Sequence, residues 1–194
     1  MAGSVFQHTL QGPAIFAGVG VHTGAYTRVA VRPAPVNSGV VFVRTQLREA
    51  GASAERAVTT QLTDEELRTY TTTTASSWVP IEHVARMFDL AAPVLHPGKP
   101  LPLRLLGREL ARDNLRGVYR VLLRVMSVEF VISQSARLWG TYHRRGAARL
   151  VRVAPREVDF VVSDYPRLPE RFRECMCGWI VGTLELVGAQ KPLV

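Results

Sequence analysis

Cysteine is scarce in this sequence, and its scarcity excludes a disulfide scaffold. The only two cysteines, Cys175 and Cys177, are separated by a single residue. That spacing is too tight for an ordinary disulfide, and it differs from the Cys-x-x-Cys redox motif. On a helix the two side chains would point about 200° apart, so they could not hold one metal ion together. Buried structural thiols are the favoured interpretation.

Long apolar runs are also missing. No stretch reaches the ~18–20 apolar residues that a membrane-spanning helix needs. The first six residues, Met1 to Phe6, lack the charged and apolar regions of a signal peptide. We therefore expect a cytoplasmic protein with no membrane span.

Lysine is nearly absent, so the positive charge is almost entirely arginine. The net charge is +8, and all of it lies in the half of the chain after residue 98. A basic half can indicate nucleic acid or membrane headgroups as partners. However, an arginine bias follows from GC-rich coding alone, and no interleaving of basic and aromatic residues accompanies it. A nucleic-acid partner is therefore disfavoured.

Two consecutive amphipathic helices are predicted between Leu103 and Tyr142. Their apolar residues recur at spacings of three and four, which places them on one face of a helix. Ser127 separates the two runs and is suited to be the N-cap of the second helix. The apolar positions are Ala111, Leu115, Val118, Leu122 and Val125 in the first, and Val128, Val131, Ile132, Ser135, Leu138, Trp139 and Tyr142 in the second.

A row of arginines four residues apart follows the first of these helices. Its candidate anion-facing members are Arg108, Arg112, Arg116 and Arg120. The favoured interpretation is a solvated helix face with local ion pairs, in which Glu109 and Asp113 neutralise arginines three residues further on. The alternative is a surface for an anionic partner.

The rest of the pattern predicts an α+β fold. Glycine- and proline-punctuated stretches with strand character indicate an N-terminal β meander, and a capping box of Thr63 and Glu66 then opens a helical region. We expect a β appendage over residues 1–47 and a mainly helical domain with a β hairpin over 48–194. Within these, the predicted elements include a strand at Val40–Val43, a helix from Pro80 to Val94, hairpin strands at Ala148–Val153 and Val158–Val162, and a last helix at Arg171–Val187.

Three motifs in the N-terminal segment carry a family resemblance. Gly18–Gly24, Arg32–Pro35 and Gly39–Thr45 resemble the N-terminus of UDP-3-O-acyl-N-acetylglucosamine deacetylases, which are zinc hydrolases of lipid A biosynthesis. The resemblance implies that Glu82 would be the catalytic base and His83 a zinc ligand. The family's later His-x-x-x-Asp ligand pair is absent from this sequence. A truncated or degenerate zinc deacetylase is therefore the alternative function.

Residues from about 60 to 194 are similar to an uncharacterised bacterial domain family related to 4-vinyl-reductase and haem-nitric-oxide-binding-like folds. The matching motifs include Trp78–Pro80, Trp139–Tyr142, Asp164–Pro166 and Leu184–Ala189. This resemblance implies small-ligand sensing or partner binding, and it suggests further strands beyond Val194.

The favoured function is a non-enzymatic, regulatory domain that binds a small ligand or a protein and needs no cofactor. Its candidate binding residues are Trp78, Trp139, Tyr142 and Trp179, although aromatic residues at helical spacing are more often part of a core. The sequence leaves the identity of the ligand and the oligomeric state open.

Overall fold

The computed structural model of the chain describes residues 19–23, 35–36, 39–116, 126–154, 157–165, 169–192 and 194. Within these ranges the chain forms seven helices and five strands, which confirms the α+β class. The helices are α1 (Gly39–Ala50), α2 (Ala52–Thr59), α3 (Asp64–Thr72), α4 (Ile81–Leu95), α5 (Pro102–Asn114), α6 (Val128–Tyr142) and α7 (Glu170–Leu186). The strands are β1 (Val19–Thr23), β2 (Pro35–Val36), β3 (Val79–Pro80), β4 (Ala147–Ala154) and β5 (Glu157–Ser163).

The strands form two small sheets. Strands β4 and β5 are the predicted hairpin, an antiparallel pair in which Leu150 lies opposite Phe160. Strand β1 pairs with β5 in parallel, so the three-stranded sheet has the order β1-β5-β4. Strand β2 pairs antiparallel with β3. The pairing partner of β1 thus comes from the C-terminal half of the chain and not from a neighbouring strand of a local meander.

Local capping explains where several helices begin and end. At α3 the Thr63 hydroxyl accepts from the Glu66 amide and the Glu66 carboxylate accepts from the Thr63 amide, which completes the predicted capping box. Ser127 caps α6 by accepting from the Phe130 amide at 3.1 Å. Just after the end of α7, Gly188 has a φ of 87°. Glycine is common at this position because it adopts the left-handed backbone conformation that terminates many helices. No helix in the described ranges is long and apolar enough to cross a bilayer.

The predicted strand at Val40–Val43 is wrong, because these residues lie in α1. Val40, Val43 and Leu47 are buried on one face of this helix. Their spacing of three and four satisfies a helix, and packing against the core outweighs the β preference of valine. Helix α1 crosses the proposed boundary between residues 47 and 48, and the two-domain division stays a prediction.

The first central helix is shorter than predicted. Helix α5 ends at Asn114, and Leu115 has a non-helical backbone with φ −105° and ψ 30°. Val118, Leu122 and Val125, which the sequence placed on the same helix, lie outside the described residues.

Glycines bring α5 and α7 into backbone contact. A Cβ added at Gly107 would overlap the carbonyl oxygen of Cys175, and one added at Gly178 would overlap the carbonyl oxygen of Arg104. The ion pair between Arg104 Nε and Glu174 Oε2, at 2.6 Å, lies beside this contact. Residues without side chains are therefore required where the two helices cross.

The close contact between the helices predicts that Gly178→Ala destabilises the protein strongly, whereas the matched control Gly140→Ala does not. We expect Gly178→Ala to lower the free energy of unfolding by about 3 kcal/mol, because the helices must separate to admit the methyl group. Gly140→Ala in α6 meets nothing within 4 Å and should be neutral or stabilise by up to about 1 kcal/mol through helix propensity. Urea denaturation of both variants measures the difference, and equal stabilities would contradict the close contact.

A candidate ligand-binding cavity

A cavity of about 140 Å³ lies between helices α4, α5, α6 and α7 and the β4–β5 hairpin. Its wall is formed mostly by aliphatic and aromatic side chains, and among the described residues that line it there is no aspartate, glutamate, lysine or arginine. The lining residues are Gly39, Val84, Phe88, Leu110, Asn114, Val131, Ile132, Trp139, Tyr142, His143, Leu150, Phe160, Phe172, Cys175, Met176, Trp179, Ile180, Thr183 and Leu184.

An aromatic cluster forms the wall of the cavity beside the hairpin. The Trp139 ring stacks on the His143 ring with centroids 3.7 Å apart and an 8° angle between planes. Tyr165 meets the edge of this pair, and Phe160 of β5 packs against Trp139. The Trp139 Nε1 atom donates to the carbonyl oxygen of Arg145 at 3.0 Å, which fixes the indole between α6 and the turn that follows it.

His143 is the one buried imidazole of the cavity wall. Burial lowers its pKa to about 4, because the charged form would lose its hydration. Its Nδ1 atom is 3.1 Å from the hydroxyl of Tyr165. The pKa of Tyr165 is raised, first by burial and then by the negative charge of Glu82. Both groups are therefore neutral near pH 7.

Two other polar groups of the wall, the Thr183 hydroxyl and the Cys175 thiol, are uncharged, which suits an apolar site. The Thr183 hydroxyl donates to the carbonyl oxygen of Trp179 at 2.9 Å within α7. Burial raises the pKa of the Cys175 thiol and keeps it protonated. The cavity is thus suited to an uncharged, mainly apolar molecule.

Three of the four predicted binding residues line this cavity. Trp139, Tyr142 and Trp179 all contribute to its wall, and the rings of Tyr142 and Trp179 meet edge to face at 6.2 Å. Trp78 lies elsewhere, in a polar cleft between α3 and β3, with the Arg144 guanidinium 4.5 Å above its ring centroid. A binding role for each of the four stays a prediction.

Sequence reasoning did not select His143, Phe160 or Tyr165 as site residues. One local signal was available, since His143 follows Trp139 by four residues, and its ring stacks on the indole from the residue just after the end of α6. No local signal connects Tyr165 or Phe160 to these residues, because they come from the hairpin and the loop after it.

Two arginines of the row, Arg108 and Arg112, lie against α7. Arg108 pairs with Glu185 Oε1 at 2.5 Å, and Arg112 approaches Glu185 Oε2 at 3.4 Å. The acid that neutralises them comes from α7, more than seventy residues further along the chain, and not from α5.

The remaining members of the row have different surroundings. Arg116 pairs with Asp113 at 3.3 Å, as expected from the three-residue spacing. Glu109, expected to pair with Arg112, instead lies 3.3 Å from the His96 Nε2 atom. Arg120 lies outside the described residues. An anion-facing role for Arg108, Arg112, Arg116 and Arg120 stays a prediction.

The proposed deacetylase residues are adjacent on α4 but have different surroundings. Glu82 is exposed to solvent. His83 is partly buried, with Nδ1 2.9 Å from the Thr69 hydroxyl and Nε2 4.0 Å from Glu65 Oε1. Zinc hydrolases use about three protein ligands, and no group of three or more potential ligands occurs among the residues that the structure describes. The described donor set therefore does not fit a catalytic zinc ion.

Comparison with known proteins supports the deacetylase resemblance. Residues 7–91 match the family model for UDP-3-O-acyl N-acetylglycosamine deacetylase, a range that includes Glu82 and His83. The matched range is less than half of the chain. It extends well beyond the N-terminal motifs that first indicated the relationship.

Curated deacetylases give the same result over a short stretch. The UDP-3-O-acyl-N-acetylglucosamine deacetylase of Phenylobacterium zucineum is 58% identical over 62 residues, which cover 30% of this chain and 21% of the relative. The enzyme of Shewanella baltica strain OS155 is 45% identical over 53 residues, or 27% of this chain and 17% of the relative. That of Solibacter usitatus is 50% identical over 42 residues, or 22% and 14%.

The chain thus spans about a fifth or less of the length of these curated relatives. No solved structure matches it. The comparisons give no support to the 4-vinyl-reductase-related resemblance, nor to a regulatory role. They favour the deacetylase alternative over the regulatory interpretation.

The aromatic cluster predicts an unequal effect of two substitutions in α6. Trp139 is 6% exposed and Phe130 is 48% exposed. We expect Trp139→Ala to lower the free energy of unfolding by about 3–5 kcal/mol, the range for an aromatic side chain removed from a core. Phe130→Ala is the matched control and should cost less than about 1 kcal/mol. Similar losses in urea denaturation would show that Trp139 does not anchor the hairpin to α6.

The depressed pKa of His143 predicts a loss of stability in mild acid. The folded pKa of about 4 lies below the unfolded value of about 6.5, so between these values the unfolded state binds more protons. Stability is therefore retained above pH 6.5 and falls as the pH drops toward 4. From pH 7.5 to pH 5 this single group should cost about 2 kcal/mol.

The measurement compares the wild-type protein with His143→Phe at both pH values. The carboxylates are common to both proteins, so the difference between their pH-dependent losses isolates the histidine. An equal loss in the two proteins would show that His143 is protonated without penalty in the folded state.

Proposed function

We propose that this chain binds a small, uncharged, apolar molecule in the central cavity and does not catalyse a reaction on it. The observation that supports this proposal is the chemistry of the cavity wall: the described residues that line it are mostly apolar and aromatic, and none of them carries a charge at neutral pH. Ligand sites are typically concave and apolar with a few placed polar groups, and His143 is such a group here.

The size of the cavity limits the ligand. Its volume of about 140 Å³ is close to that of an engineered apolar cavity of about 150 Å³ that stays dry and binds benzene. Typical sites for drug-sized ligands are larger, at ~300–1,000 Å³. A single substituted ring or a short aliphatic chain is therefore the class of ligand that we propose.

Toluene is a suitable probe for this proposal. A ligand that binds only the folded state stabilises it in proportion to RT ln(1 + [L]/Kd), so toluene at ten times its Kd should add about 1.4 kcal/mol and raise Tm. Isothermal titration calorimetry and differential scanning calorimetry on the full chain measure both quantities.

Two valine substitutions test where the toluene binds. Val131 of α6 lines the cavity and is 7% exposed, whereas Val153 of β4 is 55% exposed and is not part of the wall. We expect Val131→Phe to fill the cavity and abolish the rise in Tm. Val153→Phe adds the same volume at the surface and should leave the rise unchanged. Toluene binding that survives Val131→Phe, or that is absent from the wild-type protein, would contradict the proposal.

The second candidate function is zinc-dependent deacetylation, with Glu82 as base and His83 as a metal ligand. The family match over residues 7–91 favours it, and the relatives from Phenylobacterium zucineum and Shewanella baltica are UDP-3-O-acyl-N-acetylglucosamine deacetylases. The remaining zinc ligands would have to come from outside the described residues. The short span of the match and the absent His-x-x-x-Asp pair make this the alternative.

Metal analysis of the purified chain separates the two candidates. Under the ligand-binding proposal we expect well below one zinc ion per chain after dialysis against a weak chelator. The deacetylase candidate requires one zinc ion per chain, its loss in His83→Ala, and hydrolysis of the acylated sugar nucleotide that is lost in Glu82→Gln. His96→Ala is the matched histidine control and should change neither quantity.

Partners and location are proposals of the same kind. The pairing of Arg108 and Arg112 with Glu185 supports a structural role for these arginines and gives no reason to propose a nucleic-acid partner. A protein partner and a cytoplasmic location stay predictions from the sequence.

A further inference from the structure

We infer that the ligand of the cavity carries one hydrogen-bond-accepting oxygen on an otherwise apolar, uncharged body, and that the Nε2 atom of His143 holds this oxygen. The inference rests on the proposed ligand-binding function and names the class of ligand.

The ring of His143 is held in one orientation by three contacts with two residues, Trp139 and Tyr165. Trp139 stacks on its face at 3.7 Å, Tyr165 bonds its Nδ1 atom at 3.1 Å, and the backbone amide of His143 donates to the carbonyl oxygen of Trp139 at 2.8 Å. The imidazole lines the cavity, and its Nε2 atom makes no hydrogen bond to any residue that the structure describes. A ring in a fixed orientation, with one nitrogen that no described residue bonds, is thus part of an apolar wall.

The bond to Tyr165 sets the proton position on the ring. A phenol is the stronger donor of the pair and a neutral imidazole nitrogen is the stronger acceptor, so the Tyr165 hydroxyl donates to Nδ1. A neutral imidazole carries one N–H, and this N–H is then at Nε2. His143 therefore offers a donor, and the complementary ligand group is an oxygen with a lone pair, as in an ether, a phenol or a carbonyl.

The charge of the wall excludes an ionised ligand. His143 is neutral near pH 7 because burial lowers its pKa to about 4, and no lysine or arginine of the described ranges lines the cavity. A carboxylate would lose its hydration without gaining a cation, which is far more costly than burying a neutral oxygen with one donor. The preferred ligand therefore carries no ionised group.

Phenol, toluene and benzoate are matched probes that test whether the cavity prefers a ligand with an oxygen and whether it rejects an ionised ligand. Phenol and toluene have nearly the same shape, and only phenol has an oxygen. In the wild-type protein we expect phenol to bind at least as tightly as toluene and benzoate to show no detectable binding by calorimetry at pH 7.5. In His143→Phe we expect phenol to bind about tenfold more weakly, because its hydroxyl is left unpaired, while toluene affinity changes by less than about twofold.

Asn114 is the matched control, since its amide also lies in the wall, carries potential donors and makes no hydrogen bond to a described residue. Asn114→Leu should leave the ratio of phenol to toluene affinity unchanged. Loss of the phenol preference in Asn114→Leu instead of His143→Phe would overturn the assignment to His143. Tight benzoate binding would overturn the neutral ligand class.

Tyr165→Phe keeps the inference testable if His143→Phe fails to fold. We expect Tyr165 to act as a positioning residue, so its loss should lower the phenol-to-toluene affinity ratio at least about threefold without changing toluene affinity. The nitrogen-15 shifts of His143 should report the Nε2–H tautomer in the wild type and a mixture of tautomers in this variant. An unchanged ratio would overturn the inference, and failure of toluene itself to bind would instead contradict the proposed function.

Discussion

The backbone contact between α5 and α7 is the constraint on which the rest of the structure depends. Gly107 and Gly178 let the two helices approach until the carbonyl oxygen of Arg104 occupies the space of a side chain. Ion pairs from Arg104 to Glu174 and from Arg108 to Glu185 lie along the same contact. Both helices also line the cavity, so its width depends on the distance between α5 and α7. That distance leaves no room for a methyl group at Gly107 or Gly178.

The opposite wall depends on a different kind of interaction. Trp139, His143 and Tyr165 form a stacked and hydrogen-bonded cluster that joins α6 to the loop after β5. The indole is fixed at its polar end by the carbonyl oxygen of Arg145. In this cluster the indole N–H, the Nδ1 atom of His143 and the Tyr165 hydroxyl are hydrogen-bonded, whereas the Nε2 atom of His143 has no partner among the described residues. An apolar wall that offers such a donor favours a neutral ligand with one oxygen over a charged one.

Helices α1 and α4, which lie in the segment that resembles deacetylases, contribute buried side chains to the same apolar cluster as α5 and α7. The matched residues 7–91 include α1 to α4, and α4 contributes Val84 and Phe88 to the cavity. Arg44 of α1 donates to carbonyl oxygens at the end of α3. The similarity covers about a fifth of a relative's length, whereas the core around these helices also needs residues from the C-terminal half of the chain. Similarity over this short segment therefore does not show that the chain carries out the relatives' reaction.

Local interactions were readable from the sequence. The Thr63 capping box, the Ser127 N-cap and the hairpin of β4 and β5 depend on residues close together in the sequence, and the structure confirms them. Valine-rich residues 40–43 misled the prediction, because β preference is weak compared with burial of Val40, Val43 and Leu47 against the core. The sequence also placed Trp139 and Trp179 on apolar faces. Only the tertiary structure decided that they share a cavity, that Trp78 does not, and that His143 meets Tyr165, because these contacts join residues that are distant in the chain and no local pattern encodes the distance between them.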